Sequence, residues 1–257
     1  MRVLLLGDVV SQAGCDFLRA KLPALKRERG VDVVIANGEN SAVGNGVLPK
    51  SADFLFQSGV DVITGGNHSF KRREAYAYLD EAEGIVRPGN YPDSAPGRGW
   101  YLYDGGAYTL LVVNLIGTSF LEPLESPFDA ADRILREHPA DYTVVDFHAE
   151  ATGEKAALGY YLDGRVGAVI GTHTHVQTAD ERILPGGTGF LTDVGMTGPA
   201  ESALGVKPEC VIARLRGKLP TRFEVDDQAP CRMDGVLLDF PKKGGPCGGI
   251  ERVQVFA

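Results

Sequence analysis

The feature that most constrains the fold of this chain is an alternation of short apolar runs with longer amphipathic stretches. Seven runs rich in Val, Ile and Leu have the length of β-strands: RVLLLG, VDVVIA, VDVITG, TLLVVNL, YTVVDF, VGAVIG and GFLTDV. Their apolar character is continuous, which is typical of central strands covered on both faces. Because these strands alternate with helical patterns, the sequence predicts βαβ units and an α/β fold.

Four of the intervening stretches have the spacing of amphipathic helices: CDFLRAKLPALKRER, PKSADFLFQSG, RREAYAYLDEAEG and PFDAADRILREHP. The second begins at Pro49 and the fourth near Pro127, where a helix tolerates proline. We expect a long surface connection over the Gly- and Pro-rich residues 84–106. After about residue 196 we expect loops and short strands at a sheet edge, TRFEV, MDGVLLDF and ERVQVF, with a hairpin turn at 242–249.

Length and charge limit the partners of the chain. Its 257 residues allow one large α/β domain or two small ones. The net charge of −8 argues against a surface that grips long nucleic acids, because neutralising phosphates requires clustered Lys and Arg. No apolar run approaches the roughly 18 residues that span a bilayer. We therefore expect neither a long nucleic acid nor a membrane as a partner.

The cysteines and the first residues predict the compartment. Cys15, Cys210, Cys231 and Cys247 lie far apart and form no Cys-x-x-Cys pair, so neither a zinc ribbon nor a redox motif is supported. The opening MRVLLLGDVV is interrupted by Asp8 and carries no obvious cleavage signature, so we expect no signal peptide. A reducing cytoplasm suits this pattern.

Polar side chains that suit a metal site follow directly after the predicted strands. Four of the five histidines are among them, and the full set is Asp8, Glu39, Asn40, Asn67, His68, His148, His173 and His175. Ligands of open α/β sheets bind outside the carboxyl ends of the strands, so we expect these side chains to share one site. Carboxylate, amide and imidazole ligands suit Mn, Fe or Zn. Two ions are expected, because a bridged pair can hold a phosphoryl group and activate water, with one histidine of the THTH pair for each metal.

Some polar residues at strand and helix ends also have a purely structural interpretation, although Glu39, between Gly38 and Asn40, is hard to explain as a helix cap. Asp8 can cap the helix that follows it, and Asn67 can be a turn residue. His138, in REHP at a predicted helix end, is assigned to a favourable C-terminal position, and Asn114 is assigned to packing. The set as a whole, rather than any one member, favours a metal site.

Two loops are predicted to lie near that site. SAVGNG at 41–46 places two glycines after a strand, so its backbone N–H groups can face a phosphate, and Gly44 and Asn45 are candidate substrate contacts. DVGMTGP at 193–199 fits either the same cleft or a subunit contact in a homo-oligomer. Composition does not separate these two interpretations.

In chain order, GD at 7–8, NGEN at 37–40, GGNH at 65–68, FH at 147–148 and GTHTH at 171–175 resemble the motifs of calcineurin-like metallophosphoesterases. More closely, ANGENSAVGNG, GGNHSF and LTDVGMTGP are similar to a bacterial branch, the YmdB-like family, which is linked to 2′,3′-cyclic nucleotide phosphodiesterase activity. The resemblance covers nearly the whole chain. It implies a single metallophosphoesterase domain over 1–257, with a two-sheet sandwich flanked by helices in α/β/β/α layers.

The resemblance also implies roles for individual residues. Asp8, Glu39, Asn40 and His175 would bind one metal, and Glu39, Asn67, His148 and His173 would bind the second, with Glu39 as the bridge. His68 would face the phosphate and assist the leaving oxygen. The implied reaction is hydrolysis of a small phosphodiester, above all a 2′,3′-cyclic nucleotide, by a hydroxide held between two divalent or mixed-valence ions of Fe, Mn or Zn.

The sequence departs from the commonest superfamily pattern in three places. GDVV lacks the histidine of Asp-x-His, Glu39 stands where the bridging Asp is usual, and GNHSF lacks the acidic residue that often follows Asn-His. These departures fit the bacterial branch, with Asn40 in the place of the missing histidine, and they leave the choice of metal open.

Three alternative functions remain at this stage. One is a phosphomonoesterase of the same fold, and another is a non-catalytic regulator that binds a metal or a nucleotide. The third is an amidohydrolase-type enzyme, whose His-x-His pair usually follows the first strand, whereas here it lies two-thirds along the chain.

Overall fold

The computed structural model describes residues 1–227 and 230–257, and the strands in these ranges form two mixed sheets. The first sheet contains β1 (Arg2–Leu6), β2 (Asp8–Val9), β3 (Val33–Asn37), β4 (Val62–Thr64), β11 (Met196–Pro199), β12 (Cys231–Asp239) and β13 (Gly249–Phe256). The second contains β5 (Trp100–Asp104), β6 (Thr109–Ile116), β7 (Tyr142–His148), β8 (Ala168–Thr172), β9 (Arg182–Ile183) and β10 (Gly189–Leu191).

The first five helices of the described residues pack on the outer faces of these sheets, whereas the sixth buries none of its residues. In chain order the helices are α1 (Ser11–Arg29), α2 (Pro49–Gln57), α3 (Ala75–Glu81), α4 (Pro127–Glu137), α5 (Thr152–Tyr161) and α6 (Pro208–Gly217). The proline at the start of α2, α4 and α6 costs no helical hydrogen bond, because the first N–H groups of a helix have no partner within it. Gly30 ends α1 in the left-handed conformation (φ 59°), where its N–H bonds to a carbonyl of the last turn.

Both sheets have a parallel centre and antiparallel additions. In the first sheet β1 pairs in parallel with β3 and β3 with β4, while β12 runs antiparallel to β1 and to β13. In the second sheet β6, β7, β8 and β10 are parallel neighbours, and β5 and β9 are antiparallel edge strands. The parallel strands of each sheet therefore end together at one edge, where ligands of α/β proteins bind.

Three buried clusters separate four layers of structure. Alternate residues of one strand point to opposite faces, so Leu4 and Leu6 pack toward α1 and α2, while Val3 and Leu5 pack toward the second sheet. A third cluster lies between the second sheet and helices α4 and α5. The order helix, sheet, sheet, helix confirms the predicted α/β/β/α sandwich.

The seven predicted strands and four predicted helices are all present, with ends shifted by a few residues. The continuous apolar runs of β1, β3, β7 and β8 are buried almost throughout, as expected for strands covered on both faces. The predicted hairpin turn at 242–249 lies in the connection between β12 and β13.

Several details of the sequence prediction are wrong. Residues 84–106 include a strand, β5, because Trp100–Asp104 pairs with β6. TRFEV forms no strand, and of its residues Val225 makes one isolated bridge to Val206. The region after 196 contains the helix α6, and β12 lies inside the first sheet rather than at its edge, with β1 on one side and β13 on the other.

Helix length and composition bear on membrane insertion. Across 1–227 and 230–257, none of the helices combines the length and the apolar character that crossing a bilayer requires.

Candidate metal centre

Strand ends from both sheets bring the predicted ligands together. Asp8 follows β1, Glu39 and Asn40 follow β3, and Asn67 and His68 follow β4, all in the first sheet; His148 ends β7, and His173 and His175 follow β8, in the second. Contacts between these side chains connect the two sheets across the edge where the parallel strands end. The site therefore joins the two sheets and brings together segments as distant in the sequence as Asp8 and His175.

One half of the site gathers Glu39, Asn67, His148 and His173. His148 Nε2 lies 3.0 Å from His173 Nδ1, 2.9 Å from Asn67 Oδ1 and 3.2 Å from Glu39 Oε1. Ligand atoms of Glu39, His148 and His173 all lie within 4.8 Å of one another, a grouping that can hold a metal ion. These are the four residues predicted for the second metal.

The other half gathers Asp8, Asn40 and His175 beside Glu39. Asp8 Oδ1 lies 3.4 Å from His175 Nε2 and 3.3 Å from Asn40 Nδ2, and Asn40 Nδ2 is 3.3 Å from Glu39 Oε1. Glu39 thus contacts residues of both halves. The Asn40 amide carries an acceptor oxygen as well as this nitrogen, so rotation of the amide brings oxygen to the same point.

His68 lies beside this cluster and is partly open to solvent. Its backbone N–H donates to Glu39 Oε2 (2.8 Å), and its Nδ1 lies 2.9 Å from Asn40 Oδ1. The side chain is 26% exposed, whereas Glu39 is 1% exposed. These contacts engage Nδ1 and leave Nε2 as the nitrogen that can serve a substrate.

The backbone around the site is strained at two histidines and lies unusually close to two side chains at Gly66. His173 and His175 adopt positive φ angles of 100° and 62°, which non-glycine residues reach only at a cost of about 1–3 kcal/mol. A Cβ at Gly66 would collide with the side chains of Glu39 and His148. The glycine before Asn67 is therefore required for these ligands to approach one another.

Opposite charges are concentrated in the half of the site that contains Glu39, His148 and His173. Burial by itself would raise the pKa of Glu39, but His148 and His68 hold that pKa well below its usual range. Burial disfavours a charged His148 ring, yet the carboxylates of Glu39 and Asp8 raise its pKa to about 9. Burial and the neighbouring His148 lower the pKa of His173 to about 4. A proton is thus held where nitrogen and carboxylate ligands converge, which is the place that a cation would take.

The same pattern holds in the other half. Burial would raise the pKa of Asp8, but His175 lowers it below its usual value. Burial opposes charge on His175, and the Asp8 carboxylate raises the pKa of the imidazole. Buried carboxylates need positive charge nearby, and imidazole with carboxylate oxygen suits a metal ion, so the donor set fits bound cations.

Residues behind the ligands orient two of the imidazoles, and the sequence prediction missed them. Glu150 Oε2 lies 3.1 Å from His173 Nε2, which leaves Nδ1 for a metal. Thr172 Oγ1 donates to Asp146 Oδ1 (2.7 Å) and lies 3.0 Å from His148 Nδ1, so this nitrogen donates to Thr172 and Nε2 faces the site. Such partners of metal-binding histidines fix the tautomer and the ring orientation. In the sequence, the position of Glu150 two residues after His148 is the signal that could have indicated its role.

A buried ion pair supports the loop that carries His173 and His175. Lys155 Nζ donates to Asp193 Oδ2 (2.7 Å), and both side chains are 1% exposed. The same carboxylate oxygen accepts the backbone N–H of Thr174, between the two histidines. His175 Nδ1 is in turn 3.1 Å from the carbonyl of Leu204. The segment 193–199 is buried, and its strand β11 pairs with β2 at Asp8, which supports the cleft interpretation for this segment.

The remaining candidates have other surroundings. Gly44 and Asn45 lie in an exposed turn with positive φ angles, and Arg72 donates to the carbonyl of Asn45. Their contact with substrate stays a prediction. His138 follows α4, where its ring stacks on Trp100 at 3.6 Å. Asn114 is buried and accepts the N–H of Gly65, so it supports the backbone that precedes Asn67.

Comparison with known proteins identifies relatives over nearly the full chain. The family model described as YmdB-like protein matches residues 4–253. A Bacillus subtilis (strain 168) protein named 2′,3′-cyclic-nucleotide 2′-phosphodiesterase is 44% identical over 257 residues, which is 99% of this chain and 97% of that protein.

Solved structures show the same architecture. The crystal structure of a novel phosphatase from Mycoplasma pneumoniae superposes with a TM-score of 0.93 at 33% identity, covering 100% of this chain and 93% of that one. A calcineurin-like phosphoesterase from Bacillus subtilis superposes with a TM-score of 0.58 at 10% identity, covering 99% and 90%, and this likeness concerns the fold alone. The amidohydrolase-type alternative loses its support, because the family match covers the chain and the 33% identical structure, described as a phosphatase, has the same fold.

Proposed function

Since this chain belongs to the YmdB-like family of metallophosphoesterases, we propose that it hydrolyses small phosphodiesters, with 2′,3′-cyclic nucleotides as its substrates. The observation that carries the proposal is the convergence of Glu39, His148 and His173 from two sheets at one metal-binding point. The name of the Bacillus subtilis relative, 44% identical over nearly the whole chain, supports the substrate class.

We assign the ligands in two groups that share Glu39. Asp8, Glu39, Asn40 and His175 hold one cation, and Glu39, Asn67, His148 and His173 hold the other. The contacts between the members of each group support this division. Imidazole with carboxylate and amide oxygen favours iron, manganese or zinc. When bound, such a pair supplies positive charge for the phosphoryl group and activates water.

His68 has a different task from the ligands around it. Asn40 and Glu39 engage Nδ1 and fix the ring, while partial exposure leaves the imidazole accessible from the substrate side. In the imidazolium form, Nε2 carries a proton that the departing ribose oxygen can accept. We place Gly44 and Asn45 on the substrate side of the same site, since their turn is tied by Arg72 to the segment that follows His68.

The domain organisation, partners and location of the chain are proposed from more general features. Residues packed between the two sheets come from both halves of the chain, which supports one metallophosphoesterase domain over 1–257. The net charge of −8 supports a small substrate over a long nucleic acid. We also propose a cytoplasmic location and no membrane partner, and both proposals rest on the sequence alone. Exposed Ile212 and Leu215 on α6 support a homo-oligomer.

The proposal is tested by metal analysis of the purified protein together with hydrolysis assays. The substrates are 2′,3′-cyclic AMP, 3′,5′-cyclic AMP, bis(4-nitrophenyl) phosphate and 4-nitrophenyl phosphate. We expect about two metals per chain and the highest kcat/KM on 2′,3′-cyclic AMP. Preference for the monoester would assign a phosphomonoesterase, and binding without turnover would assign a regulator; either result contradicts the proposal.

A further inference from the structure

A cavity of about 730 Å³ opens beside the candidate metal centre. Its lining includes His173, Phe120, Leu121 and the first residues of α5. Its volume is within the range of small-molecule sites. A ligand in this cavity can therefore contact both His173, a proposed metal ligand, and the side chain of Phe120.

Phe120 is unusual among the apolar residues of this lining because its ring is almost fully open to water. The residue is 88% exposed, and its backbone has a φ angle of 66°. A bulky residue in the left-handed region is uncommon, and such strain is concentrated at ligand-binding sites. The exposure costs favourable burial, so packing within the chain does not explain the position of the ring.

The loop that carries Phe120 is held firmly by Glu154 of α5. The Oε1 atom of this carboxylate accepts the Thr118 N–H at 2.8 Å and the Thr118 hydroxyl at 3.2 Å, and Oε2 accepts the Ser119 N–H at 3.2 Å. The preceding Gly117 donates to the carbonyl of His148 at 3.0 Å. The backbone that leads to Phe120 is thus held at a fixed position relative to His148, a proposed metal ligand.

We propose that Phe120 is the stacking platform for the nucleobase of the substrate and that this cavity is the base subsite. The inference rests on the proposed function, because it is the phosphate that would lie at the metal centre with the base one ribose away. An aromatic face binds every base through its π-surface, so stacking gives affinity with little preference among bases. Glu150, in the same lining, is already paired with His173 Nε2 at 3.1 Å and is engaged in orienting that ligand.

The first test compares steady-state kinetics on two substrates that differ only in the base. These are 2′,3′-cyclic AMP and methyl ribofuranoside 2,3-cyclic phosphate, assayed with the wild type, Phe120→Ala and Phe120→Tyr. Alanine meets the same backbone penalty as phenylalanine at this φ, so the truncation removes the ring without relieving strain. Tyr160→Ala is the matched control, because this exposed aromatic residue lies near the other end of α5.

We expect Phe120→Ala to raise KM for 2′,3′-cyclic AMP at least about fivefold, the lower end of what stacking on one base contributes. Its kcat should change less than about twofold, since an interaction made equally in the ground and transition states affects KM. Phe120→Tyr should behave as the wild type, and the base-free substrate should not distinguish any of the proteins. Equal losses on both substrates, or no loss on either, would overturn the subsite.

A second measurement needs no turnover. Calorimetric titration of the metal-loaded protein with 3′-AMP and with ribose 3-phosphate should show tighter binding of the nucleotide, and Phe120→Ala should remove that difference. If the wild type hydrolyses neither substrate, the proposed function fails, yet a nucleotide preference that depends on Phe120 still supports the subsite. A wild type that binds both ligands equally contradicts it.

Discussion

Glu39 contacts both halves of the candidate centre, because its Oε1 lies 3.2 Å from His148 Nε2 and 3.3 Å from Asn40 Nδ2. Its side chain is buried, so its charge must be balanced by the groups around it. Under the proposed function, the residues of the site divide into those that hold cations, those that orient a ligand, and His68, which would face the substrate. Substitutions at each kind of position have different expected outcomes.

Glu39→Gln is expected to abolish turnover and to lower metal content to about one ion or less. A neutral amide bridges two cations poorly, while its nearly identical shape preserves the fold. Circular dichroism and metal analysis of the same sample check this. Retained activity with two bound metals would contradict the bridging assignment.

His173→Ala and His175→Ala are each expected to lower kcat/KM more than about 100-fold and to reduce bound metal. Loss of a ligand should exceed the effect of losing a partner behind a ligand, which is about 10–100-fold. His138→Ala is the control, because this ring stacks on Trp100 outside the cluster, and its effect on rate should stay below about twofold. Equal effects at all three histidines would contradict the prediction that the metal ligands are the residues that follow the strand ends.

His68→Ala is expected to keep both metals and to lose rate selectively. Proton donation contributes about 10²–10⁴-fold, so the variant should be strongly impaired on 2′,3′-cyclic AMP, whose leaving ribose oxygen needs a proton. Bis(4-nitrophenyl) phosphate has a leaving group that departs as a stable anion and should be much less affected. Similar mutant-to-wild-type ratios on the two substrates would mean that His68 binds phosphate rather than donating a proton.

Among the elements, α5 supports two loops of the site from adjacent residues of its first turn. Glu154 holds the loop that precedes Phe120, and Lys155 pairs with Asp193 below the loop of His173 and His175. Gly159 allows the helix to approach the second sheet, since a Cβ there would meet the ring of Phe190 at 2.5 Å. The position of α5 therefore determines the geometry on the His173 side of the site.

Lys155→Met is expected to lower the free energy of unfolding by about 3–5 kcal/mol, because it leaves the buried Asp193 carboxylate without its partner. Denaturant unfolding measures the change, and metal affinity should fall with it as the histidine loop loosens. Glu251→Gln breaks an exposed pair with Arg29 and should cost less than about 1 kcal/mol. Comparable losses for the two variants would show that the buried pair does not hold the loop.

At the scale of the whole molecule, the candidate centre joins the two sheets. Asp8 and Glu39 come from the first sheet, and His148, His173 and His175 from the second. A ligand that binds only the native state stabilises it, by about 2.7 kcal/mol at a free concentration 100 times its dissociation constant. Bound cations should therefore strengthen the contact between the sheets as well as serve the reaction.

Removal of metal by a chelator is expected to lower the Tm of the wild type by several degrees, and added manganese should restore it. Glu39→Gln should show a smaller shift, because it binds less metal to lose. Differential scanning calorimetry with and without chelator makes the comparison. An unchanged wild-type Tm after verified metal loss would contradict a stabilising role.

The sequence by itself determined the seven strands of the βαβ pattern and the residues at their ends. Continuous apolar runs and helical periodicity are local signals, so β1, β3 and β7 could be predicted without knowledge of their neighbours. Parallel strands end at a common edge, and this rule was enough to collect Asp8, Glu39 and His148 into one set. The local signal failed for β5, in a Gly- and Pro-rich region, and for α5, where Gly153 and Gly159 weaken the helical pattern.

Only the tertiary structure decided which atoms of that set face one another and what supports them. The Lys155 to Asp193 pair and the contact of Glu150 with His173 join segments 38 and 23 residues apart through space, and the contact of Leu204 with His175 is equally non-local. No periodicity records such pairs, because they depend on how helices and sheets pack rather than on the preference of any one segment. The placement of Phe120 has the same origin: it lines the same cavity as His173 because Glu154, on another element, holds the preceding residues of its loop.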